Sequence, residues 1–217
     1  MDIHEIFASI LGGFIGSLLV KLVNKFSSES TINMKYSIEQ LKDSIHDDKL
    51  VKFLFFWGHT NKNNETAGKF CFSQWYPSPF EVEGVVYRTA EHWMMAKKAL
   101  LFNDVEIFDK ILNAKSPAEA KLLGREVKYY DDELWLQHRY EIVKAGNIHK
   151  FSQHSSFRDY LLQTAPRVIV EASPVDAIWG IGLSVDSKQI EDVNNWRGLN
   201  LLGFALMEVR DVLSVGK

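Results

Sequence analysis

Thr89-Ala90-Glu91-His92-Trp93-Met94-Met95-Ala96-Lys97-Lys98-Ala99 is the stretch on which the reading of the fold turns. Thr89 is a good N-cap, and the residues after it predict a helix from about Ala90 to Leu101. On the N-terminal side, Val51–Trp57 (VKFLFFW) reads as a buried strand leading into the polar loop His59–Lys69. Phe70–Trp75 reads as a second, aromatic strand stopped by Pro77 and Pro79. FEVEGVVY (Phe80–Tyr87) alternates around Gly84, which predicts a hairpin or bent strand. On the C-terminal side a helix is expected near Val105–Leu112. Ser116-Pro117-Ala118-Glu119 then starts another, with Ser as cap, Pro in the first turn and Glu completing a capping box. Further helices fit Asp132–Ala145, Ser155–Thr164 and Asn200–Leu213, and the short strand Val168–Glu171 separates two of them. Helices outnumber strands, so the fold class is α+β: a helix-dominated single domain with a small β-sheet.

The chain has 217 residues, enough to bury a full core without disulfides or metals and to leave room for an appendage. Apolar residues make up 46% and charged residues 24%, the balance of a globular body. The formal net charge is −3 and the isoelectric point is near 6.2, with Lys and Arg scattered among Asp and Glu. Tight duplex DNA binding is therefore not expected, whereas a local cationic pocket for a few phosphates is compatible with the sequence. Cys71 is the only cysteine, which excludes an intrachain disulfide and a CxxC metal site and favours a reducing compartment. The seven histidines lack metal-ligand spacing; His149 and His154 come nearest, and they read as solvent-facing or core histidines. Neither a metal nor a cofactor is expected.

The N-terminus differs from the rest. Ile6–Val20 (IFASILGGFIGSLLV) is apolar and is extended past Lys21 by Leu22 and Val23. A spanning helix needs roughly 17–25 residues, so the run at 6–23 just qualifies if Lys21 snorkels to the interface. Gly12 and Gly16 form a GxxxG, Asp2 and Glu5 precede the run, and Lys21 and Lys25 follow it. The expectation is a membrane-anchor helix over residues 1–26 with the following domain facing the cytoplasm; a buried soluble helix is the rival. Residues 27–50 are polar and mixed in charge, and read as a tether. Ile38, Leu41 and Ile45 give part of it the spacing of a short amphipathic helix. Residues 51–217 form the main domain.

Four stretches of that domain carry candidate chemistry. Glu91 and Lys98 are seven apart, which on a helix places them within about 20° of each other and about 10 Å apart along the axis. The lean of side chains toward the helix N-terminus brings the Lys98 amine back toward Glu91, so a sugar could sit between them; a surface ion pair is the plain alternative. In Leu122-Leu123-Gly124-Arg125-Glu126-Val127, Gly124 permits close approach and Arg125 could grip a phosphate, or be an ordinary surface arginine. In Val170-Glu171-Ala172-Ser173-Pro174-Val175-Asp176-Ala177-Ile178-Trp179-Gly180-Ile181-Gly182-Leu183 a strand gives way to a turn bearing an acid, an indole and two glycines. Asp176 at a strand end suits polar chemistry, and Trp179 could face a base or ribose. In Asn195-Trp196-Arg197-Gly198-Leu199-Asn200-Leu201-Leu202-Gly203, Asn200 is either an N-cap or a ligand-binding amide near a helix N-terminus.

Together these segments resemble one family. FSQWYPSPF (Phe72–Phe80), AEHWMMAKKA (Ala90–Ala99), SPAEAKLLGREV (Ser116–Val127), Lys150-Phe151, VEASPVDAIWGIGL (Val170–Leu183) and WRGLNLLGFALMEVR (Trp196–Arg210) are similar, in order, to the NADAR (YbiA-like) proteins. The resemblance covers about Phe53 to Leu213 and leaves out the apolar N-terminus. It implies a YbiA-like fold and a glycosidase that acts on a riboflavin-pathway ribosylamino-pyrimidine or removes ADP-ribose from guanine. It also implies Glu91, Lys98 and Asp176 as catalytic residues. Lys98 would attack the ribose C1 and form a Schiff base, Glu91 would shuttle protons, and Asp176 would position a hydroxyl or stabilise charge. Trp179, Trp75, Trp57, Arg125, Lys150, Asn200 and Gly180 are the implied substrate-binding residues. The expected partner is a nucleotide-like small molecule or an ADP-ribosylated guanine base. A non-catalytic ADP-ribose or nucleotide reader is the rival reading. Carboxylates near Lys98 would raise its pKa, so burial must oppose them for it to act as a nucleophile.

Overall fold

The computed structural model describes residues 34–47 and 50–215. The expected membrane-anchor helix of residues 1–26 lies outside them. Among the described residues no helix is long and apolar enough to cross a membrane. Within the segment expected to be a tether, α1 (Ile38–His46) is capped by Ser37, with Gln40 closing a capping box. It is docked on the domain: the Lys35 N–H donates to Glu208 at 2.9 Å, and the Tyr36 hydroxyl to Asp211 at 2.8 Å.

The chain then builds a helix-rich α+β domain with two small sheets. Strand β1 (Phe53–Phe56) opens it, a 3₁₀ turn covers Lys69–Phe72, and β2 (Phe80–Val82) and β3 (Val85–Tyr87) form a hairpin. The hairpin turn is Glu83-Gly84, both at positive φ (53° and 80°), as two-residue turns that match strand twist require. Helices α2 (Ala90–Leu101), α3 (Val105–Asn113), α4 (Pro117–Arg125), α5 (Asp132–Gln153) and α6 (Ser155–Leu162) follow. Strand β4 (Val168–Glu171) pairs in parallel with β1, Phe53 opposite Val168 and Phe56 opposite Glu171. A 3₁₀ turn (Val193–Asn195) and α7 (Leu201–Ser214) end the domain.

Helix α2 is the axis of the core. Thr89 caps it as expected, and Ala90 through Lys97 are all buried. Helices α3, α4 and α5 pack against it. Two glycines set how closely they come. A Cβ at Gly146 on α5 would strike the Trp93 indole, and one at Gly124 on α4 would strike the Met95 sulfur. The close approach expected at Gly124 is therefore what the packing uses. His92 is a satisfied core histidine, its ring bonded to Thr89 Oγ1 at 2.8 Å and to the Ala114 carbonyl at 3.1 Å.

Three expectations need correction. Phe70–Trp75 is not a strand. Phe70, Cys71 and Phe72 are all buried, with Phe72 against Phe56 and Tyr160, so the segment packs on every side and curls into a 3₁₀ turn; a strand would alternate its faces. Helix α5 runs past Ala145 to Gln153, because Gly146 and Asn147 are held inside by Trp93 and Gln74. In α4, Ser116 accepts from the Glu119 N–H, but the Glu119 carboxylate reaches back to the N–H of Lys115, one residue before the cap.

Candidate active site

The carboxyl ends of the parallel strands β1 and β4 open onto a cleft of about 590 Å³. Trp57, Gly58 and His59 follow β1, and Ser173, Val175 and Asp176 follow β4, which is where parallel strands commonly present ligand groups. Helix α2 gives the floor with Glu91, Met94, Met95 and Lys98, while Lys121, Gly124 and Arg125 of α4 and Trp135 of α5 close one side. The opposite wall is the strap Ser73-Gln74-Trp75. Three bonds fix that strap: Lys150 Nζ donates to the Ser73 carbonyl at 2.9 Å, Gln74 pairs with Asn147, and the Glu91 N–H donates to the Gln74 carbonyl at 2.9 Å.

Glu91 is 2% exposed, and its Oε1 is buried without a hydrogen-bond partner. Burial pushes its carboxyl up to about 7, against the pull of the Lys121 ammonium and a hydrogen bond from Trp75, and Asp176 adds to the push. Glu171, the last residue of β4, lies in the same cleft with its Oε2 unpartnered; burial first, then Asp176 and Glu91, raise it to about 8. Lys98 is half-buried. Its Nζ donates to the Gly124 carbonyl at 2.8 Å and sits over the Tyr130 ring, 4.1 Å from the centroid. Desolvation lowers its pKa, opposed by Asp132. Burial is therefore the effect that prevails at Lys98. The ammonium acting on Glu91 is that of Lys121, since the Lys98 amine turns to the end of α4 instead of leaning back along α2.

Asp176 organises the turn after β4: one oxygen, Oδ1, accepts from the N–H groups of Ile178 and Trp179, both at 2.8 Å. That turn presents Trp179 to the cleft. The structure thus brings together Glu91, Lys98, Asp176, Trp179, Arg125, Trp75 and Trp57. Three other expected ligand groups are placed elsewhere. Lys150 is fully buried and spent on Ser73. Asn200 is fully buried at φ 53° and stands at the N-cap position of α7 as expected, but its side chain makes no capping bond. The amide accepts from the Glu171 N–H and donates to the Ile169 carbonyl, so it ties α7 to β4 and does not face a ligand. The first amides of α7, Leu201 and Leu202, donate to the carbonyls of Ile178 and Trp179, which leaves that helix end closed to an anion. Gly180 is buried under the turn, where a Cβ would meet the Glu171 and Asp176 carbonyls.

Sequence reading missed Glu171 and Lys121. Glu171 is an acid ending an otherwise apolar strand, and that position at the carboxyl end of a parallel pair was the available signal. Lys121 carries no local signal, since only the docking of α4 on α2 brings it to Glu91.

The NADAR domain family model matches residues 55–214, from within β1 to the end of α7. The chain belongs to the NADAR family. N-glycosidase R617 of Acanthamoeba polyphaga mimivirus is 44% identical over 165 residues, 74% of this chain and 95% of the viral protein. N-glycosidase YbiA of Escherichia coli is 32% identical over 146 residues, 67% of this chain and 82% of YbiA. The NMR structure of E. coli YbiA superposes with a TM-score of 0.60 at 27% identity, covering 77% of this chain and 89% of YbiA. The helix-rich NADAR domain seen here is therefore a YbiA-like fold.

Proposed function

We propose that this NADAR domain is an N-glycosidase that hydrolyses the bond between a nitrogenous base and a phosphorylated or ADP-linked ribose, with Lys98, Glu91 and Asp176 as its catalytic residues. Relatives named N-glycosidases support the reaction class. The observation that carries the residue assignment is a single cleft in which burial lowers the pKa of an amine and raises that of a carboxyl. Such opposed displacement suits acid and base work near neutral pH.

Breaking an N-glycosidic bond builds positive charge on the ribose C1 and ring oxygen. Lys98, easier to deprotonate than a free lysine, attacks C1; the Schiff base formed with the opened sugar is then hydrolysed. Glu91, poised near 7, gives and takes protons, and Asp176 uses the oxygen not engaged in its turn to hold a ribose hydroxyl. Trp179, Trp75 and Trp57 offer stacking faces, and Arg125 with Lys121 offers charge for phosphates. The substrate class is an ADP-ribosylated guanine or a ribosylamino-pyrimidine phosphate.

The test is a paired assay of the full chain and Lys98→Ala on ADP-ribosylated guanine and on a ribosylamino-pyrimidine phosphate, with base release followed by mass spectrometry. Cleavage of one substrate that disappears in the variant, with the fold intact by circular dichroism, is the expected outcome. Near-normal turnover by Lys98→Ala removes the covalent route. Tight ADP-ribose binding with no cleavage of either substrate replaces the enzyme with a reader module.

A further inference from the structure

We propose that Glu171 is a further catalytic residue of the cleft, the acid that hands its proton to the departing base. The inference rests on the glycosidase reading above and adds to it the group that makes the base a good leaving group.

Glu171 has a carboxyl oxygen in the cleft whose bonding is unmet. Glu171 ends β4 at the inner wall of the cleft. Its main chain is committed, the N–H to Asn200 Oδ1 at 3.0 Å and the carbonyl to the Ile181 N–H at 3.0 Å. Its carboxyl is not: Oε2 is buried with no partner, as is Oε1 of Glu91, itself 2% exposed in the same cleft. A buried ionised carboxylate without donors is costly, whereas a neutral carboxyl carries a proton to give. The charged groups facing Glu171 are Asp176 from the turn after β4, Glu91 from α2 and Lys121 from α4. Burial is the main reason that the carboxyl stands near 8 and is protonated at neutral pH; Asp176 and Glu91 act in the same sense, and Lys121 opposes them.

Substrate supplies the missing partner. In the first step the C1–N bond breaks, its electron pair goes to the base nitrogen, and that nitrogen takes the Glu171 proton while the Lys98 amine bonds to C1. In the second step the sugar ring opens, its oxygen taking a proton from Nζ and leaving the C1=Nζ Schiff base. A water oxygen then bonds to C1, and the C1–Nζ bonds break with their electron pairs to Nζ. Of the two water protons one returns to Nζ and the other restores Glu171, leaving the open-chain sugar aldehyde. One water is consumed and both residues are regenerated.

The experiment compares the full chain with Glu171→Gln on two substrates: the N-linked one that wild type cleaves, and p-nitrophenyl ribose 5-phosphate, whose leaving group departs as a stable anion and needs no proton. On the N-linked substrate kcat should fall by about 100-fold or more, in the range that general acids contribute, with KM little changed. On the nitrophenyl substrate the loss should be less than about tenfold. The fall of kcat/KM at alkaline pH, where Glu171 loses its proton, should disappear in the variant. Equal losses on both substrates, or an alkaline fall that survives in the variant, overturn the assignment. Should Glu171→Gln not fold, Glu171→Asp takes its place, and its shorter acid should lower kcat at least about tenfold on the N-linked substrate and less on the nitrophenyl one; equal losses on both overturn the assignment. Wild type that cleaves no N-linked substrate overturns the glycosidase reading together with this one, whereas full activity in Glu171→Gln overturns only this one.

Discussion

Glu91 should make the protein less stable as pH rises, and Glu91→Gln should remove that dependence. Its carboxyl stands at about 7 in the fold against an ordinary value of 4.5. A raised carboxyl contributes its full share of stability below about 4.5, and that share is lost as pH climbs through about 7. Each pH unit across this window corresponds to about 1.4 kcal/mol, which gives a loss on the order of 2–3 kcal/mol between pH 5 and pH 8 from this group. Glu91 is 2% exposed, so solvent does little to screen the effect. The assay is urea unfolding of wild type and Glu91→Gln at both pH values, followed by far-UV circular dichroism. Comparing the difference between the proteins at the two pH values cancels whatever the glutamine amide costs by its own hydrogen bonding. The variant should gain on wild type by an amount on the order of 2–3 kcal/mol on going from pH 5 to pH 8, while losing glycosidase activity. Parallel pH dependence in the two proteins would refute the claim that burial holds this carboxyl neutral.

Other substitutions separate chemistry from support. Asp176→Asn keeps an oxygen for the Ile178 and Trp179 N–H groups, so the turn should survive; kcat should fall more than binding weakens, and a pure loss of affinity would reduce Asp176 to a binding residue. Asn200→Ala strips partners from the Glu171 N–H and the Ile169 carbonyl, and should destabilise by about 2–3 kcal/mol in urea unfolding. Its ADP-ribose affinity, measured by calorimetry where the variant is folded, should stay near wild type. Gly146→Ala pushes a methyl into the Trp93 indole and should cost about 1–3 kcal/mol; an unchanged Tm would mean that α5 and α2 can move apart freely.

The local elements were legible in the chain because their signals are local. Thr89 before a helix former, Pro117 after Ser116 and Gly84 inside an alternating run each act within a few residues, and α2, α4 and the β2–β3 hairpin stand where those residues place them. The aromatic run at Phe70–Trp75 misled because alternation and burial on all sides produce the same composition. The cleft divides the same way. Glu91, Lys98, Asp176 and Trp179 stood out through the order and spacing of their motifs, and the fold puts all four on one cavity. Only the tertiary structure set Lys150 and Asn200 to hold backbone, sent the Lys98 amine to Gly124, and turned Lys121 and Glu171 toward Glu91. The physical reason is range: caps and turns are decided by neighbours in sequence, whereas desolvation and charge at the cleft depend on groups brought together from α2, α4 and β4, whose separation in sequence carries no record of their distance in space.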